Sequence, residues 1–140
     1  MNLEHKYDVI NHLTDEQTDT LVELYQAEWW TKGRRLADVR RMLANSDLII
    51  AYCERENRRL VAFARVLTDY VYKALIFDVI VASAARKQGL GRALLDEIIQ
   101  HSALSQVHHL ELYCAPEMKA FYEQWGFTAE LGVLTFMRRN

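Results

Sequence analysis

The first half of the chain begins with two segments whose apolar residues recur at helical spacing, and short apolar runs follow them. Thr14 followed by Gln17 matches a capping box, and apolar positions then recur at helical spacing, so we predict an amphipathic helix over residues 14 to about 29. A second, shorter helix is predicted to begin at Leu36 and to end near Asn45. Three apolar runs follow and are expected to be strands, at residues 48–53, 60–67 and 72–81. Their short connections permit only antiparallel pairing, which makes a meander.

The second half of the chain predicts a strand, a helix and a strand in succession. A segment containing Gly89 and Gly91 leads from the third run into an apolar-faced helix, and a strand is expected at 107–114. This order implies a right-handed parallel crossover. Pro116 suits the first turn of a further helix, Gly126 fits the cap at its end, and residues 131–137 can add a last strand. The predicted fold class is therefore mixed α/β, α+β-like, with the meander first and the crossover second.

Length and charge narrow the class of protein. The 140 residues, 51% hydrophobic and 26% charged, are typical of one compact domain spanning residues 1–140. The 17 basic residues nearly balance the 19 acidic ones, giving a net charge of −2. This balance argues against a general binder of nucleic acid or of anionic membranes.

Cysteine usage and the N-terminus predict a cytoplasmic protein. Cys53 and Cys114 each lie in an apolar run, so reduced thiols are expected rather than a disulfide framework. The first seven residues are followed by no apolar segment of a signal peptide, and no stretch approaches the roughly 18 apolar residues of a membrane span. His108 and His109 lack metal-ligand spacing with either cysteine, so no metal site is predicted.

The turn before the second-half helix has the chemistry of a phosphate-binding loop. Its residues are Arg86, Lys87, Gln88, Gly89, Leu90, Gly91 and Arg92. The first N–H groups of a helix lack intrahelical acceptors, the two glycines remove Cβ atoms, and the basic side chains add positive charge. A pyrophosphate fits such a turn, and the alternative is an ordinary turn with solvated basic residues. No P-loop string occurs, and the third glycine of a dinucleotide fingerprint is missing.

Asp78 is a candidate for chemistry because it lies in the middle of an apolar strand. A carboxylate there is costly unless it is paired or functional. It could bind the ammonium group of a substrate or accept its proton, directly or through water. The alternative, which we weigh equally, is a salt bridge to an adjacent strand, for instance with Arg65.

Two segments together resemble the motifs of a known enzyme family. Residues 76–81 with the turn at 86–91 resemble motif A of the GNAT acetyltransferase superfamily, Arg/Gln-x-x-Gly-x-Gly/Ala, and residues 120–127 resemble its motif B. The resemblance implies a GNAT-type fold, with a central mixed sheet of six to seven strands and about four helices. It also implies an acetyl-CoA-dependent N-acetyltransferase that transfers acetyl directly to a primary amine of a small molecule or peptide, with acetyl-CoA lying between two splayed parallel strands.

The resemblance also assigns residues to the cofactor and to catalysis. The pyrophosphate would rest on N–H groups of residues 88–92, and pantetheine would pair with backbone of Val79 and Val81. The complete cofactor-binding set is Val79, Ile80, Val81, Arg86, Lys87, Gln88, Gly89, Leu90, Gly91 and Arg92. The hydroxyl of Tyr122 would face the thioester sulfur as proton donor, the alternative being a core aromatic, and a backbone N–H near Val79 or Ile80 would serve the oxyanion.

The acceptor-binding segment of the family is variable and corresponds here to the end of the first helix and the loop after it. Tyr25, Trp29 and Trp30 could wall an apolar or aromatic amine pocket there. For Trp29 we favour the alternative, a place on the buried stripe of the helix. For Glu28 we favour a solvated helix charge over the alternative, attraction of an ammonium group.

Two rival functions and one question of assembly stay open. An acyl-CoA-binding sensor without turnover is the main alternative, because Ala115 and Met118 stand where many family members carry Asn and Ala. A nucleic-acid module would have to use scattered arginine pairs, and we favour neither nucleic acid nor a membrane as partner. The expected partner is the amine acceptor, and a homodimer stays open.

Overall fold

The computed structural model describes residues 3–140. Met1 and Asn2, part of the segment in which no signal peptide is predicted, lie outside the described residues. Five strands form one mixed sheet in the order β1-β2-β3-β4-β5. The strands are β1 (Tyr7–Ile10), β2 (Leu48–Glu54), β3 (Leu60–Thr68), β4 (Lys73–Val81) and β5 (His109–Glu111). The helices are the single turn α1 (Leu3–Lys6) and four others, α2 (Asp15–Gln26), α3 (Leu36–Ala44), α4 (Leu90–Ile99) and α5 (Lys119–Glu123).

The meander and the crossover are confirmed. Strands β1 to β4 pair antiparallel in chain order, and β5 pairs parallel with β4 through α4. The predicted count of six to seven strands is wrong, because the described part of the chain holds five. Strand β1 was not predicted, and residues 131–137 form no strand: they are exposed, with Val133 at 98%.

Helix α2 begins as the sequence predicts. The Thr14 hydroxyl accepts from the Gln17 N–H at 3.1 Å, and the Gln17 side chain accepts from the Thr14 N–H at 3.0 Å, which completes the capping box. The helix ends at Gln26, three residues earlier than predicted. Trp29 therefore lies beyond the helix and is 81% exposed, so it does not continue the buried stripe.

The core has two parts, one on each face of the sheet. On one face, α4 packs residues such as Leu94 and Leu95 against the strands. On the other, α2 and α3 pack Leu21 and Val39 against β2, β3 and β4. Helix α5 follows a 3₁₀ turn that Pro116 opens, as predicted for the first turn of a helix.

A bulge in β4 changes which face its side chains reach. Arg65 pairs with Phe77 and Phe63 pairs with Ile80, so two residues of β4, Asp78 and Val79, stand opposite one residue of β3. Asp78 has a φ of 57°, in the left-handed region that aspartate tolerates better than most residues. Side chains two residues apart share a face of a regular strand, but here Ile76 packs on the α4 side and Ile80 on the α2/α3 side.

Strands β4 and β5 separate soon after they begin to pair. Their parallel register covers only Lys73–Leu75 against His109–Glu111, less than the predicted strand at 107–114. Within residues 3–140, no strand replaces β5 beside the second half of β4. The sheet therefore opens into a wedge beyond Leu75, bounded by β4 and by the residues that follow β5.

Cys53 and Cys114 are free thiols, Cys53 buried and Cys114 exposed. None of the helices that the structure describes combines the length and the hydropathy needed to span a membrane.

Candidate active site

A cavity of about 890 Å³ occupies the wedge between β4 and the chain after β5. Its walls come from the bulged part of β4, the start of α4, the segment 112–118, α5 and the loop after α2. Val79, Leu112, Phe121 and Tyr122 belong to or pack against the core of the α4 side, whereas Asp78 contacts Tyr25 of the other core. The cavity thus joins the two faces of the sheet through the wedge.

The turn at residues 86–92 has the geometry expected of a phosphate-binding loop. Lys87 and Gly89 have φ of 65° and 84°, and Gly89 is the N-cap of α4. Among the described residues, none accepts a hydrogen bond from the N–H groups of residues 88–92. These donors at the positive end of a helix dipole, in a turn that passes twice through the left-handed region, suit an anion.

Gly91 supports the same conclusion. A Cβ at this position would lie 3.5 Å from Cζ of Phe121, an ordinary van der Waals distance, and the backbone there is helical. Neither packing within the protein nor backbone conformation therefore demands glycine at residue 91. A ligand that approaches the main chain closely would demand it.

The side chains around the turn are tied to neighbouring segments. Arg86 pairs with Glu28 at 2.8 Å, and its Nε donates to the carbonyl oxygen of Val81 at 3.3 Å. The side chain of Gln88 accepts from the hydroxyl of Tyr7 at 2.8 Å and from Lys6 at 3.2 Å. The expected solvated Glu28 is instead a partner of the turn, and β1 supports the turn from the other side.

The residues at this end of the cavity fit the pyrophosphate and the pantetheine arm of acetyl-CoA. Val79, Ile80, Val81, Arg86 and Gly91 line the cavity. Beyond Leu75, β4 lacks a neighbouring strand on its β5 side in the described chain, so alternate backbone groups there are open to a chain-like ligand. The open amides of residues 88–92 provide donors for a diphosphate at the adjoining helix start.

Tyr122 both packs in the core and lines the cavity. Its ring contacts Phe121 and Phe127 edge-on, with centroids 5.1 and 6.2 Å apart. Burial, with a smaller contribution from Cys114, raises the pKa of Tyr122 to about 12. The phenol therefore stays protonated at neutral pH and keeps a proton to donate.

Asp78 is held by three side chains. Its Oδ2 accepts from Arg34 at 2.7 Å, from Arg65 at 2.8 Å and from the hydroxyl of Tyr25 at 3.0 Å, and its Oδ1 accepts from Arg34 at 3.3 Å. Burial alone would raise the pKa of Asp78, but the hydrogen bonds from Arg34 and Arg65 outweigh it and hold the pKa below its ordinary value. The salt bridge to Arg65 that the sequence offered as the alternative is present, and the base role of Asp78 stays a prediction.

The predicted wall of the acceptor pocket is only partly on the cavity. Trp29 and Trp30 line it, but Tyr25 is completely buried behind Asp78 and belongs to the core. The residues around Asp78 that do line the cavity form what we call the acceptor half: Arg34, Arg65, Phe77, Asp78, Tyr113 and Arg138.

Arg34 and Arg138 belong to the acceptor half but were not predicted as site residues. Arg34 lies 44 residues from its partner Asp78, in a loop whose path no local pattern predicts. The only sequence signal for Arg34 was indirect: a carboxylate in an apolar strand needs cationic partners.

Among residues 3–140, no group of three His, Cys, Asp or Glu side chains is arranged to hold a metal ion.

Sequence comparisons point to one family. The model of the Acetyltransferase (GNAT) family matches residues 10–127. The uncharacterized N-acetyltransferase ycf52 of Pyropia yezoensis is 31% identical over 121 residues, which are 83% of this chain and 69% of that protein. GCN5-related N-acetyltransferase 1, chloroplastic, of Arabidopsis thaliana is 31% identical over 97 residues, 69% of this chain and 49% of that protein.

A comparison of structures agrees with the sequences. A crystal structure from Xanthomonas campestris pv. campestris, assigned to the same family, matches with a TM-score of 0.78 and 30% identity. The match covers 95% of this chain and 93% of the other.

Proposed function

The chain belongs to the GNAT acetyltransferase family and is an acyltransferase, and from that premise we propose that it transfers acetyl from acetyl-CoA to a primary amine of a small molecule or peptide. The observation that carries the proposal is the row of open N–H groups at residues 88–92 beside the wedge. The acceptor would enter from the α2/α3 side, opposite the α4 side, so that the two substrates meet at the bulge of β4.

In this proposal the turn and the strand hold acetyl-CoA by main-chain atoms. The amides of residues 88–92 bind the pyrophosphate, and the backbone of Val79 and Val81 pairs with the pantetheine amides. Arg86 now contacts both Glu28 and the carbonyl of Val81, so it must release that carbonyl when pantetheine binds. Its guanidinium is then available to the phosphates.

The chemistry needs an oxyanion donor and a proton donor. Acetyl-CoA supplies, when bound, an acetyl group activated as a thioester, which the amine takes directly as a C–N bond forms and the C–S bond breaks. A backbone N–H near Val79 or Ile80 donates to the carbonyl oxygen. Tyr122 donates a hydrogen bond to the sulfur as negative charge develops there. Because the pKa of Tyr122 is about 12 against about 8.5 for a thiol, the phenol keeps its proton on balance, and the departing thiolate takes its proton from water.

For Asp78 we propose a positioning role first. It holds Arg34 and Arg65 against the acceptor half, and its low pKa makes it a weak base for the proton that the amine loses. Water in the open cavity can take that proton instead. The base role predicted from the sequence would appear as an acid limb in the pH profile that moves when Asp78 is replaced.

The test is acetyl-CoA-dependent thiol release with a panel of primary amines, together with thermal unfolding in the presence and absence of acetyl-CoA. We expect both thiol release that depends on the amine and stabilisation by acetyl-CoA. Stabilisation with no amine-dependent release would favour the alternative, an acyl-CoA-binding sensor. This alternative is favoured by the position of Met118, because a residue that departs from the family pattern lines the cavity itself.

We further propose that residues 1–140 act as one N-acetyltransferase domain in the cytoplasm, either alone or as a homodimer. Because some relatives are named chloroplastic, the location must be measured, and fractionation of the source cells measures it. Recovery with the plastid fraction would contradict the cytoplasmic proposal without touching the enzymatic one.

A further inference from the structure

The acceptor half of the cavity carries more positive charge than a simple amine acceptor would require. Arg34, Arg65 and Arg138 line it together with a single carboxylate, Asp78. Arg86 and Glu28 neutralise each other on the cofactor side, so they do not change this balance. The surplus is two positive charges, which would repel an ammonium group that arrives without a compensating anion.

Arg65 has hydrogen-bond donors left over. Only its Nε is engaged, by Asp78, and none of the described residues accepts from its Nη1 or Nη2. The side chain is 13% exposed, and no fully buried side-chain nitrogen of the described chain lacks a partner, so these Nη atoms open into the cavity. A largely buried guanidinium with free Nη donors suits a carboxylate or phosphate, which it can bind through two hydrogen bonds.

The surroundings of Arg65 hold its guanidinium in place. Its carbon Cζ lies 4.9 Å from the centre of the Phe77 ring, and Phe77 contacts Tyr113 edge-on at 6.0 Å. Arg138 lies over Tyr113 at 5.9 Å. Two guanidinium groups therefore pack on aromatic rings along one wall of the cavity. An anion bound between them would be shielded from water by these rings.

We propose that the acceptor is an amine that also carries an anionic group, a carboxylate or a phosphate, which Arg65 binds with the help of Arg138. The proposal rests on the proposed acetyl transfer and specifies its substrate class. Polyamines and basic peptides are disfavoured, because their additional positive charges would be repelled by the two surplus positive charges of the acceptor half.

Matched pairs of amines test the proposal. We would measure kcat/KM for phenylalanine against phenylalanine amide, and for 2-aminoethyl phosphate against ethanolamine, with spermidine as the polycation. Each anionic member should exceed its neutral partner by about 10- to 100-fold, the worth of a charged hydrogen-bonded contact. The pair with the larger ratio identifies the carboxylate or the phosphate as the anion. Equal rates within both pairs, or a preference for spermidine, would overturn the proposal.

Variants of Arg65 localise the effect. Arg65→Gln leaves Asp78 its pair with Arg34 and should reduce the ratios to near one, and Arg65→Lys, which keeps the charge but loses the Nη donors, should give an intermediate ratio. Arg55→Gln, which removes a guanidinium paired with Asp8 on the surface, should leave the ratios unchanged. Ratios that survive in Arg65→Gln would contradict the assignment to this residue.

Binding separates failure of this inference from failure of the proposed function. If no amine supports thiol release, the same pairs are compared by calorimetry on the protein saturated with CoA. Binding of the anionic members alone would uphold the substrate class while acetyl transfer fails. Binding of neither member, or of both equally, would overturn the substrate class as well.

Discussion

Asp78 is the carboxylate that pairs with two of the arginines lining the cavity. Its carboxylate is 5% exposed and accepts from two guanidiniums and a phenol. Removing one partner from a buried ion pair is costly because the remaining charge stays desolvated. The arrangement therefore ties the stability of the protein to the ionised state of this residue.

Asp78→Asn should lower the free energy of unfolding by about 3 kcal/mol, because Arg34 and Arg65 would lose their common counter-charge. Since the pKa of Asp78 is lower in the folded protein than the value near 3.9 of an unfolded chain, this stability is present above about pH 4 and is lost as the pH falls below it. Urea unfolding of both proteins from pH 7 to pH 3 measures the difference.

The matched control is Asp8→Asn, since Asp8 also has two arginine partners, Arg55 and Arg58, but is more exposed. It should cost less than about 1 kcal/mol. A cost at Asp78 no larger than at Asp8, or one that does not shrink below pH 4, would contradict the assigned ion-pair network.

Tyr122→Phe should lower kcat by about 100-fold and leave KM for acetyl-CoA nearly unchanged, because the hydroxyl acts only as charge develops on the sulfur. Since the pKa of Tyr122 is about 12, the wild-type rate should show no loss from deprotonation of this residue up to about pH 10. Steady-state kinetics checks both statements. Tyr72→Phe, at an exposed tyrosine, is the control, and wild-type turnover in Tyr122→Phe would remove the acid role.

The salt bridge between Asp78 and Arg65 could be predicted from the sequence, but the other contacts of Asp78 could not. A carboxylate in an apolar strand demands a partner, and residues on neighbouring strands are the nearest candidates. The bulge that turns Asp78 toward α2, and the loop that brings Arg34 to it, depend on tertiary packing. The same is true of Tyr25, whose helical position was clear but whose burial behind Asp78 was not.

Among the secondary structure elements, those with local signals were the predictable ones. The capping box placed the start of α2, and short connections between apolar runs required the antiparallel meander. Strand β1 has only four residues at the sheet edge, too few for a pattern. Residues 131–137 have strand-like composition, but a strand also needs a neighbour with free backbone groups, and composition does not supply one.

Thr14→Ala should lower the free energy of unfolding by about 1 kcal/mol, because the Gln17 N–H at the start of α2 loses its acceptor. Chemical denaturation measures the change. Thr20→Ala, at a half-buried position within the same helix, is the control and should cost clearly less. Equal costs at the two positions would mean that the capping box contributes nothing of its own.

The start of α4 can be tested with two substitutions of Gly91. Gly91→Ala should fold normally and gain up to about 0.5 kcal/mol without ligand, because alanine suits a helix better. It should nevertheless weaken stabilisation by acetyl-CoA, which at 100 times Kd is about 2.7 kcal/mol for the wild type. Gly91→Glu should abolish that stabilisation, since its carboxylate would face the pyrophosphate.

Thermal unfolding with and without acetyl-CoA makes this comparison. Gln100→Glu, which adds the same negative charge at the other end of α4, is the control and should keep the full shift. An unchanged shift in Gly91→Glu would remove the pyrophosphate from this turn.

The sheet connects the two cores, and the cavity depends on both. One wall is built on the α4 side and the other on the α2/α3 side, so the wedge keeps its shape only while the two cores are folded together. Strands β2, β3 and β4 contribute side chains to both cores. Loss of packing on either face should therefore unfold the chain as one unit.

Leu95→Ala on the α4 side and Leu21→Ala on the α2 side should each lower the free energy of unfolding by about 2–5 kcal/mol, because both side chains are fully buried. In each variant, urea transitions followed by far-UV circular dichroism and by tryptophan fluorescence should coincide. Trp125 packs on the α4 core, so fluorescence reports that face, whereas circular dichroism reports the helices of both faces. Two separate transitions in either variant would contradict a single domain and imply that one wall of the cavity can open while the other stays folded.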